Sequence, residues 1–350
     1  MTTFVQSTPL RSWSNGRHPV RCVGIVEETH DVRTFSFKAE APTLFDFKPG
    51  QFVTLELAIG GEQVMRSYTL SSSPAQPYSF SLTIKRVPGG LVSNWLHDHL
   101  AVGDPLVVHG PMGQFNAFDF PADKVLLLSG GVGITPVMSM ARWFFETFAP
   151  VDRVFVHSAR TPQDIVYHDE LRRMAARSEA FRLHLVCERD GKGEPWSGYR
   201  GYFCRAMLEL MAPDFLQREV FCCGPAPYMT AVRQMLEDAG FDMSRYHEEA
   251  FVAPQAPAAE QAGEGYRVSF ARSGHCVRVA PGETLHAAAG RVGLHIPKAC
   301  GMGVCGTCRV RKLSGEVTLA HIGGVSDEEL AEGYVLTCCG TPQGDVTLDC

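Results

Sequence analysis

Three stretches near the start of the chain alternate apolar and polar residues: Val32-Arg33-Thr34-Phe35-Ser36-Phe37, Phe52-Val53-Thr54-Leu55-Glu56-Leu57 and Phe80-Ser81-Leu82-Thr83-Ile84. A period of two predicts strands with one face in a core. Pro49-Gly50, Gly60-Gly61 and Pro88-Gly89-Gly90 break the runs and place turns between them. The region from Pro19 to about Asp119 therefore reads as an antiparallel barrel or sandwich. One short helix is expected at Ser93 to His99, with Ser93 as its N-cap.

From Asp123 the pattern changes. Val125-Leu126-Leu127-Leu128 is a continuous apolar run, as expected of a strand buried on both faces. A glycine loop follows, and then Val137, Ala141, Phe144, Phe145 and Phe148 recur at helical spacing. Further strands are predicted at Val154 to Val156, Leu183 to Val186 and Val220 to Cys223. Helical segments are predicted near Asp169 to Ala176 and Tyr228 to Ala239. Strands alternating with helices imply a parallel sheet covered on both faces. After a Pro-, Ala- and Gln-rich stretch, Tyr266 to Phe270 and Cys276 to Val279 suggest a hairpin, followed by a helix at about Thr284 to Arg291. The expected organisation is an antiparallel β-barrel domain over 18–120, an α/β parallel-sheet domain over 121–250, a linker at 251–265 and a small α+β module over 266–350.

Composition narrows the function. The chain has 350 residues, 45% of them hydrophobic, and a formal net charge of -6. That is ordinary globular composition, and the mild acidity argues against a nucleic-acid binder. No apolar run reaches the ~20 residues that a membrane helix needs, and Met1 to Arg21 lacks the apolar core of a signal peptide. A cytoplasmic protein is expected. Twelve cysteines are many for a reducing compartment, where disulfides are rare, so several should be metal ligands or buried apolar residues.

The sharpest chemical signal is Cys300-Gly301-Met302-Gly303-Val304-Cys305-Gly306-Thr307-Cys308, a C-x4-C-x2-C run with Cys338 following after 29 residues. Thiolates are soft ligands for iron–sulfur clusters or zinc. The spacing is that of plant-type [2Fe-2S] ferredoxins; a zinc ribbon would pair two short cysteine knuckles, and the second is missing. Gly301, Gly303 and Gly306 suit a tight loop with N–H groups aimed at sulfur. Cys338 and Cys339 compete for the fourth position. If Val335-Leu336-Thr337 continues as a strand, Leu336 and Cys338 share its inner face and Cys339 points away.

Other motifs are weaker singly. Gly130-Gly131-Val132-Gly133-Ile134-Thr135-Pro136, with Pro136 expected at the first helical position, can cradle an anion on backbone N–H groups, although tight turns use glycines too. Arg66 offers a bidentate clamp for pyrophosphate, Tyr68 an aromatic face and Thr69 a hydroxyl; the same residues also fit a plain edge strand. Gly89-Gly90-Leu91-Val92-Ser93 opens a helix as a second anion cradle, beside Lys85 and Arg86, which also read as surface charges. Cys223-Gly224-Pro225 ends a buried strand, where open α/β sheets bind ligands. The His97-x-His99 pair reads as a solvated helix end rather than a metal site.

Together these motifs resemble the ferredoxin–NADP reductase superfamily. Arg66-x-Tyr68-Thr69 is similar to its flavin motif, Gly90-Leu91-Val92-Ser93 to its pyrophosphate motif, Gly131-x-Gly133-x-Thr135-Pro136 to its nicotinamide loop and Cys223-Gly224-Pro225 to its C-G-P element. The C-terminal region resembles a plant-type ferredoxin of β-grasp fold. The order of the three is that of reductase components of multicomponent oxygenases. His321 to Leu330 and Leu336 to Cys339 resemble the branch that serves glycine betaine oxygenation.

The resemblance implies FAD rather than FMN, NADH or NADPH as donor, and a cluster held by Cys300, Cys305, Cys308 and Cys338. Electrons would leave for a Rieske-type oxygenase. It implies that Arg66, Tyr68, Thr69 and Gly90 to Ser93 bind flavin, that Gly131, Gly133 and Thr135 bind the nicotinamide cofactor, that Thr69, Cys223 and Glu249 flank the hydride path, and that Phe251 helps close the site. Ala250 stands where the family usually has Ser. NADH is expected over NADPH, although Asp164 suits a ribose hydroxyl and Arg160 a 2′-phosphate. Alternatives are a reductase of a hybrid-cluster protein and a redox sensor.

Overall fold

The computed structural model describes residues 10–193, 195–251, 265–298, 301, 303, 306–319, 321 and 324–350. The described chain up to Phe251, apart from residues 63–67 and 112–114, makes one compact unit, and the chain from Gly265 onward belongs to a second.

A short parallel pair, β1 (Arg11–Ser12) and β4 (Thr43–Leu44), is separate from the main antiparallel sheet. That sheet holds β2 (Gly16–Thr29), β3 (Val32–Ala39), β5 (Phe52–Ile59), β6 (Glu62–Thr69), β7 (Phe80–Lys85) and β8 (Pro105–Met112), in the order β6-β5-β8-β2-β3-β7. The apolar positions are inward as expected, with Phe35 and Phe37 on β3 and Phe80, Leu82 and Ile84 on β7 fully buried, but the alternation is incomplete: Thr34, Thr54 and Thr83 are buried too, and β5 is buried at four consecutive residues from Phe52 to Leu55. The two edge strands meet. An isolated antiparallel bridge joins Leu70 to Leu82, and Ser71 N–H donates to Ser81 carbonyl at 2.8 Å. The antiparallel sheet thus curls into a barrel, removing its open edges.

Helix α1 spans Leu91–His99, two residues earlier than its sequence suggested. Its N-cap is Gly90, without a side-chain cap bond. Ser93 is therefore not the N-cap. It lies inside the first turn, where its hydroxyl accepts from Val87 N–H at 3.2 Å. His97 is buried, its Nε2 2.9 Å from Ile84 carbonyl, so only the exposed His99 fits the expectation of a solvated helix end.

The rest of the first unit is a parallel sheet of β9 (Lys124–Gly130), β10 (Asp152–Ala159), β11 (Phe181–Cys187), β12 (Tyr199–Arg200), β13 (Glu219–Cys223) and β14 (Tyr246–Glu249), in the order β12-β11-β10-β9-β13-β14. Helices α2 (Ile134–Glu146), α3 (His168–Arg177), α4 (Arg205–Met211) and α5 (Ala226–Asp238) connect its strands. Two apolar cores lie on its faces, one around Leu127, Ile134 and Phe221, the other around Leu126, Leu128 and Leu236. Consecutive residues of β9 divide between the two, as two-sided burial requires. Pro136 occupies the third helical position of α2, because a 3-10 turn at Gly131–Gly133 precedes the helix. The first turn leaves N–H groups unpaired anyway, so proline is tolerated there. Phe148 departs from the predicted apolar face. It lies past the helix end at φ 55 and is 90% exposed.

The second unit has β15 (Tyr266–Phe270), β16 (His275–Val279), β17 (Arg309–Ser314), β19 (Tyr334–Leu336) and β21 (Val346–Leu348) in the order β16-β15-β21-β17-β19. β15 and β21 run parallel at its centre while β15–β16, β17–β21 and β17–β19 are antiparallel. Helix α6 (Leu285–Arg291) packs Leu285, Ala288 and Ala289 into the same core as Phe270 and Leu348. This is the expected β-grasp. A small pair, β18 (Val317–Leu319) and β20 (Gly340–Pro342), and a short α7 (Asp327–Ala331) complete it. Val252 to Glu264, most of the expected linker, lie outside the described residues.

Candidate functional site

The ends of β9, β13 and β14 assemble the first site. Register pairs Cys223 with Ser129 on one side and with Glu249 on the other. The loop after β9 and the turn after β13 touch backbone to backbone: a Cβ on Gly133 would sit 2.5 Å from Cys223 carbonyl oxygen, and one on Gly130 would meet Pro225 at 3.1 Å. The glycines at these two positions are there for closeness. Gly131 has a different reason, a left-handed φ of 54 with open space around it. The first turn of α2 carries no acidic residue and no side-chain cap, so its positive end can attract an anion, although Ile134 N–H is already bonded to the Gly131 and Val132 carbonyls and Pro136 has no N–H. Thr135 is buried, and its hydroxyl donates to Val132 carbonyl at 3.2 Å, so it stabilises the loop itself.

Thr69 and Glu249 meet although 180 residues separate them in the chain. The Glu249 carboxyl is buried, and burial pushes its pKa up to about 8, while a hydrogen bond from the Thr69 hydroxyl pulls it partly back. Its Oε2 has no hydrogen-bond partner among the described residues. Beside it the Cys223 thiol is held well above its ordinary range, by burial first and then by Glu249. Cys223 is thus a neutral thiol, and Glu249 is largely protonated at neutral pH, accepting from Thr69 and able to donate a hydrogen bond of its own. Phe251 is 39% exposed just beyond β14.

The barrel supplies a second anion cradle. A Cβ on Gly90 would lie 2.6 Å from Ser93 Oγ and 3.1 Å from Val87 carbonyl, so the backbone there stays bare. The first turn of α1 has no acidic residue and no side-chain cap. On β6, Thr69 is buried and Tyr68 half-buried, while Arg66 is exposed and donates to Met65 carbonyl at 2.8 Å. The neighbouring cations are engaged as ordinary ion pairs, Lys85 with Asp31 at 3.1 Å and Arg86 with Asp98 at 2.6 Å. These features fit FAD: a bare helix start for pyrophosphate, and an aromatic face and a hydroxyl on the adjoining strand.

In the second unit Cys308 is buried, and Cys338 N–H points at its sulfur at 3.5 Å. An N–H aimed at a thiolate is what a cluster ligand needs. Gly301, Gly303 and Gly306 all have φ near 70. Gly303 could not carry a side chain in any case, since a Cβ would lie 2.6 Å from Cys339 Sγ and 2.9 Å from His321 Cα. Cys300 and Cys305 lie outside the described residues. The strand expected to extend through Thr337 stops at Leu336, and Thr337 to Cys339 form a turn. Alternation along a strand therefore does not separate Cys338 from Cys339. Leu336 is inward as expected, but Cys339 Sγ lies 3.8 Å from Leu336 carbonyl and against the Gly303 loop. The Cys338 N–H supports Cys308 as a ligand; the assignment of Cys338 over Cys339 rests on the 29-residue interval from Cys308.

The two residues read as cues to coenzyme choice are both engaged in side-chain contacts. Arg160 lies 3.9 Å from Asp31, and Asp164 accepts from the Thr161 hydroxyl at 2.7 Å. Sequence reasoning missed a buried and partly buried polar group that begins two residues after Thr69: Ser71, Thr83, Tyr167, Arg142 and Glu170. No motif flags them, because each belongs to a different element. The one sequence signal was a charged residue, Arg142, within the mostly apolar stretch of α2.

Among the described residues no helix is long and apolar enough to cross a membrane. Three family models match in succession: an oxidoreductase FAD-binding domain over residues 20–117, an oxidoreductase NAD-binding domain over 127–234 and a 2Fe-2S iron-sulfur cluster binding domain over 268–343. The chain is 62% identical to the glycine betaine monooxygenase reductase subunit of Pseudomonas aeruginosa, covering 99% of each chain. It is 42% identical to a stachydrine N-demethylase reductase subunit of Rhizobium meliloti, over the whole length of both. The solved structure of phthalate dioxygenase reductase superposes with a TM-score of 0.61 at 24% identity, covering 96% of this chain and 98% of that one.

Proposed function

The chain belongs to the ferredoxin–NADP reductase superfamily, among the oxygenase reductases that end in a 2Fe-2S domain, and from this premise we propose that it delivers electrons from NADH to a Rieske-type oxygenase acting on glycine betaine or a similar quaternary ammonium compound. The observation that carries the partner class is the full-length match to glycine betaine monooxygenase reductase subunits. The same match disfavours a hybrid-cluster-protein reductase or a redox sensor. The site of action is the cytoplasm.

FAD and the [2Fe-2S] cluster supply the conversion of a two-electron hydride into single electrons. The chain's own residues bind, orient and insulate. Arg66 and the backbone of Gly90, Leu91, Val92 and Ser93 hold the flavin pyrophosphate, with residues 18–120 as the flavin domain. Tyr68 packs on the flavin ring and Thr69 hydrogen-bonds at its edge. Gly131 and Gly133 shape the loop that sets the nicotinamide coenzyme at the positive end of α2, and Thr135 keeps that loop in shape, within a domain of residues 121–250. Cys223 and Glu249 wall the hydride path as neutral groups, so no fixed negative charge opposes electron density arriving at the flavin. Phe251 covers the pocket. Cys300, Cys305, Cys308 and Cys338 ligate the cluster in the module of residues 266–350, joined by the linker at 251–265.

The test is reconstitution with a glycine betaine oxygenase, glycine betaine and NADH. Formaldehyde above an oxygenase-free control is expected. If none forms while the reductase still reduces cytochrome c, the partner assignment fails. A higher kcat/KM with NADPH overturns the coenzyme assignment.

A further inference from the structure

Helix α2 begins at the coenzyme loop and carries two residues that reach the flavin side. Ser139 Oγ donates to Ser72 carbonyl at 2.7 Å, and Arg142 Nη1 donates to Ser71 carbonyl. These carbonyls lie two and three residues after Thr69 on the same short segment. Arg142 does not stand alone. Its Nε and Nη2 clamp both oxygens of Glu170 on α3 at 2.8 and 2.6 Å, and its guanidinium stacks over the Tyr167 ring at 4.4 Å.

Tyr167 closes the circuit. It precedes α3 in a left-handed conformation, φ 59, which costs a non-glycine residue strain. Its hydroxyl donates to Thr83 Oγ1 on β7. The same Thr83 oxygen lies 3.0 Å from Ser71 Oγ and 2.7 Å from Thr34 Oγ1, and Thr34 in turn donates to Glu28 at 2.6 Å. Every member of this network is buried or partly buried. Such networks are rigid when satisfied. This one links α2 and α3 of the coenzyme side to β3, β7 and the Ser71–Ser72 segment of the flavin side.

Resting on the flavin and coenzyme assignment above, we infer that Arg142 is a positioning residue for hydride transfer: it ties the helix that starts at the coenzyme loop to the segment that carries Thr69, and so sets the alignment of donor and acceptor rings. It touches neither cofactor cradle. Bidentate binding of Glu170 and donation to Ser71 need the guanidinium fork, so Lys replaces it only in part. Misplacement of about 1 Å at a reacting centre costs ~100-fold in rate.

The experiment is stopped-flow reduction of the bound flavin by NADH in the full-length protein and in Arg142→Met, Arg142→Lys and Ser139→Ala. Wild-type reduction by NADH is the control on the underlying assignment: without it that assignment fails, independently of Arg142. In Arg142→Met we expect full FAD occupancy, an NADH Kd within threefold of wild type, a hydride-transfer rate lowered 10- to 100-fold and a weakened charge-transfer absorption band before reduction. Arg142→Lys should recover part of the rate and of the band. Ser139→Ala should lower the rate several-fold in the same direction, and it decides the matter if Arg142→Met yields no holoprotein. An unchanged rate, or a loss that only follows missing FAD or weakened NADH binding, overturns the inference.

Discussion

The cysteine module and the end of the parallel sheet solve two different problems. In the module, three of the four assigned ligands come from one nine-residue run and the fourth from a turn, and three left-handed glycines shape the loop. At the sheet end, Thr69, Gly133, Cys223 and Glu249 come from four segments and meet through barrel closure and strand register. A metal site demands particular donor atoms, so its chemistry is written as spacing. A hydride site demands bare backbone, neutral walls and alignment, so its chemistry is spread over the fold. The first should therefore fail sharply at single side chains, the second gradually through packing and geometry.

The largest expected effect is at Cys338. Cys338→Ala should lose most of the cluster iron and its visible and EPR signals, while Cys339→Ala should keep them. The basis is the ferredoxin-like interval of 29 residues between Cys308 and Cys338. Cys339 instead packs on Gly303, so a smaller Ala there is tolerated. Equal loss in both variants would mean that the adjacent thiols exchange as ligand, and the module would then be less sharply specified than its spacing suggests.

At the sheet end the next effect is graded. Gly133→Ala drives a Cβ into the backbone of Cys223 and Gly224, which neither a rotamer nor a side chain relieves. Overpacking of this kind costs about 2–3 kcal/mol. Gly131→Ala meets open space and pays only for its left-handed φ, about 1 kcal/mol. Urea unfolding of the two variants measures the difference. Equal costs would show that closeness of the two turns is not what Gly133 provides.

Glu249 offers a pH-dependent version of the same comparison. Its folded pKa, about 8, exceeds the ordinary 4.5, so the folded state binds the extra proton. Its contribution to stability is complete below pH 4.5 and is lost as pH rises to about 8, with a slope of at most about 1.4 kcal/mol per pH unit. Glu249→Gln removes that slope. Melts at pH 5, 7 and 9 should show wild type losing stability relative to the variant as pH rises. Parallel curves would mean that Glu249 is solvated in the protein.

How much of this was legible in the sequence follows the same division. Strand alternation located β3, β5 and β7, and continuous apolar runs located β9 and β13, but the pattern did not show that Thr34, Thr54 and Thr83 are buried alongside the apolar residues. The C-x4-C-x2-C run and the glycines were readable because donor spacing is local. Helix starts were misplaced: Ser93 looks like an N-cap and Pro136 like a first residue, but glycine turns ahead of both helices shift them. The turn at Thr337 to Cys339 was hidden, since Val335-Leu336-Thr337 reads as strand. Arg142, Tyr167 and Thr83 were invisible because their partnership exists only once the barrel and the sheet are built.

The smallest effect tests whether the two compact units respond separately. Helix α7 has only five residues, and a capping box holds its start: Ser326 Oγ accepts from Glu329 N–H at 3.2 Å, and Glu329 Oε2 accepts from Ser326 N–H at 3.1 Å. So short a helix has little stability of its own, so the cap matters more than it would on a long one. Ser326→Ala leaves the Glu329 N–H without its partner and costs about 1 kcal/mol. In a domain of this size that lowers the melting temperature by about 4–8 °C. The bleaching of cluster absorbance should shift by this amount, whereas the release of flavin fluorescence should move much less, because Tyr68, Thr69, Gly90 to Ser93 and the coenzyme loop lie in the other unit and, of the residues assigned to the flavin, Arg66 alone belongs to the second. If both transitions shift together, the units unfold as one cooperative body, and the sharp failure expected of the cysteine module would spread to the hydride site as well.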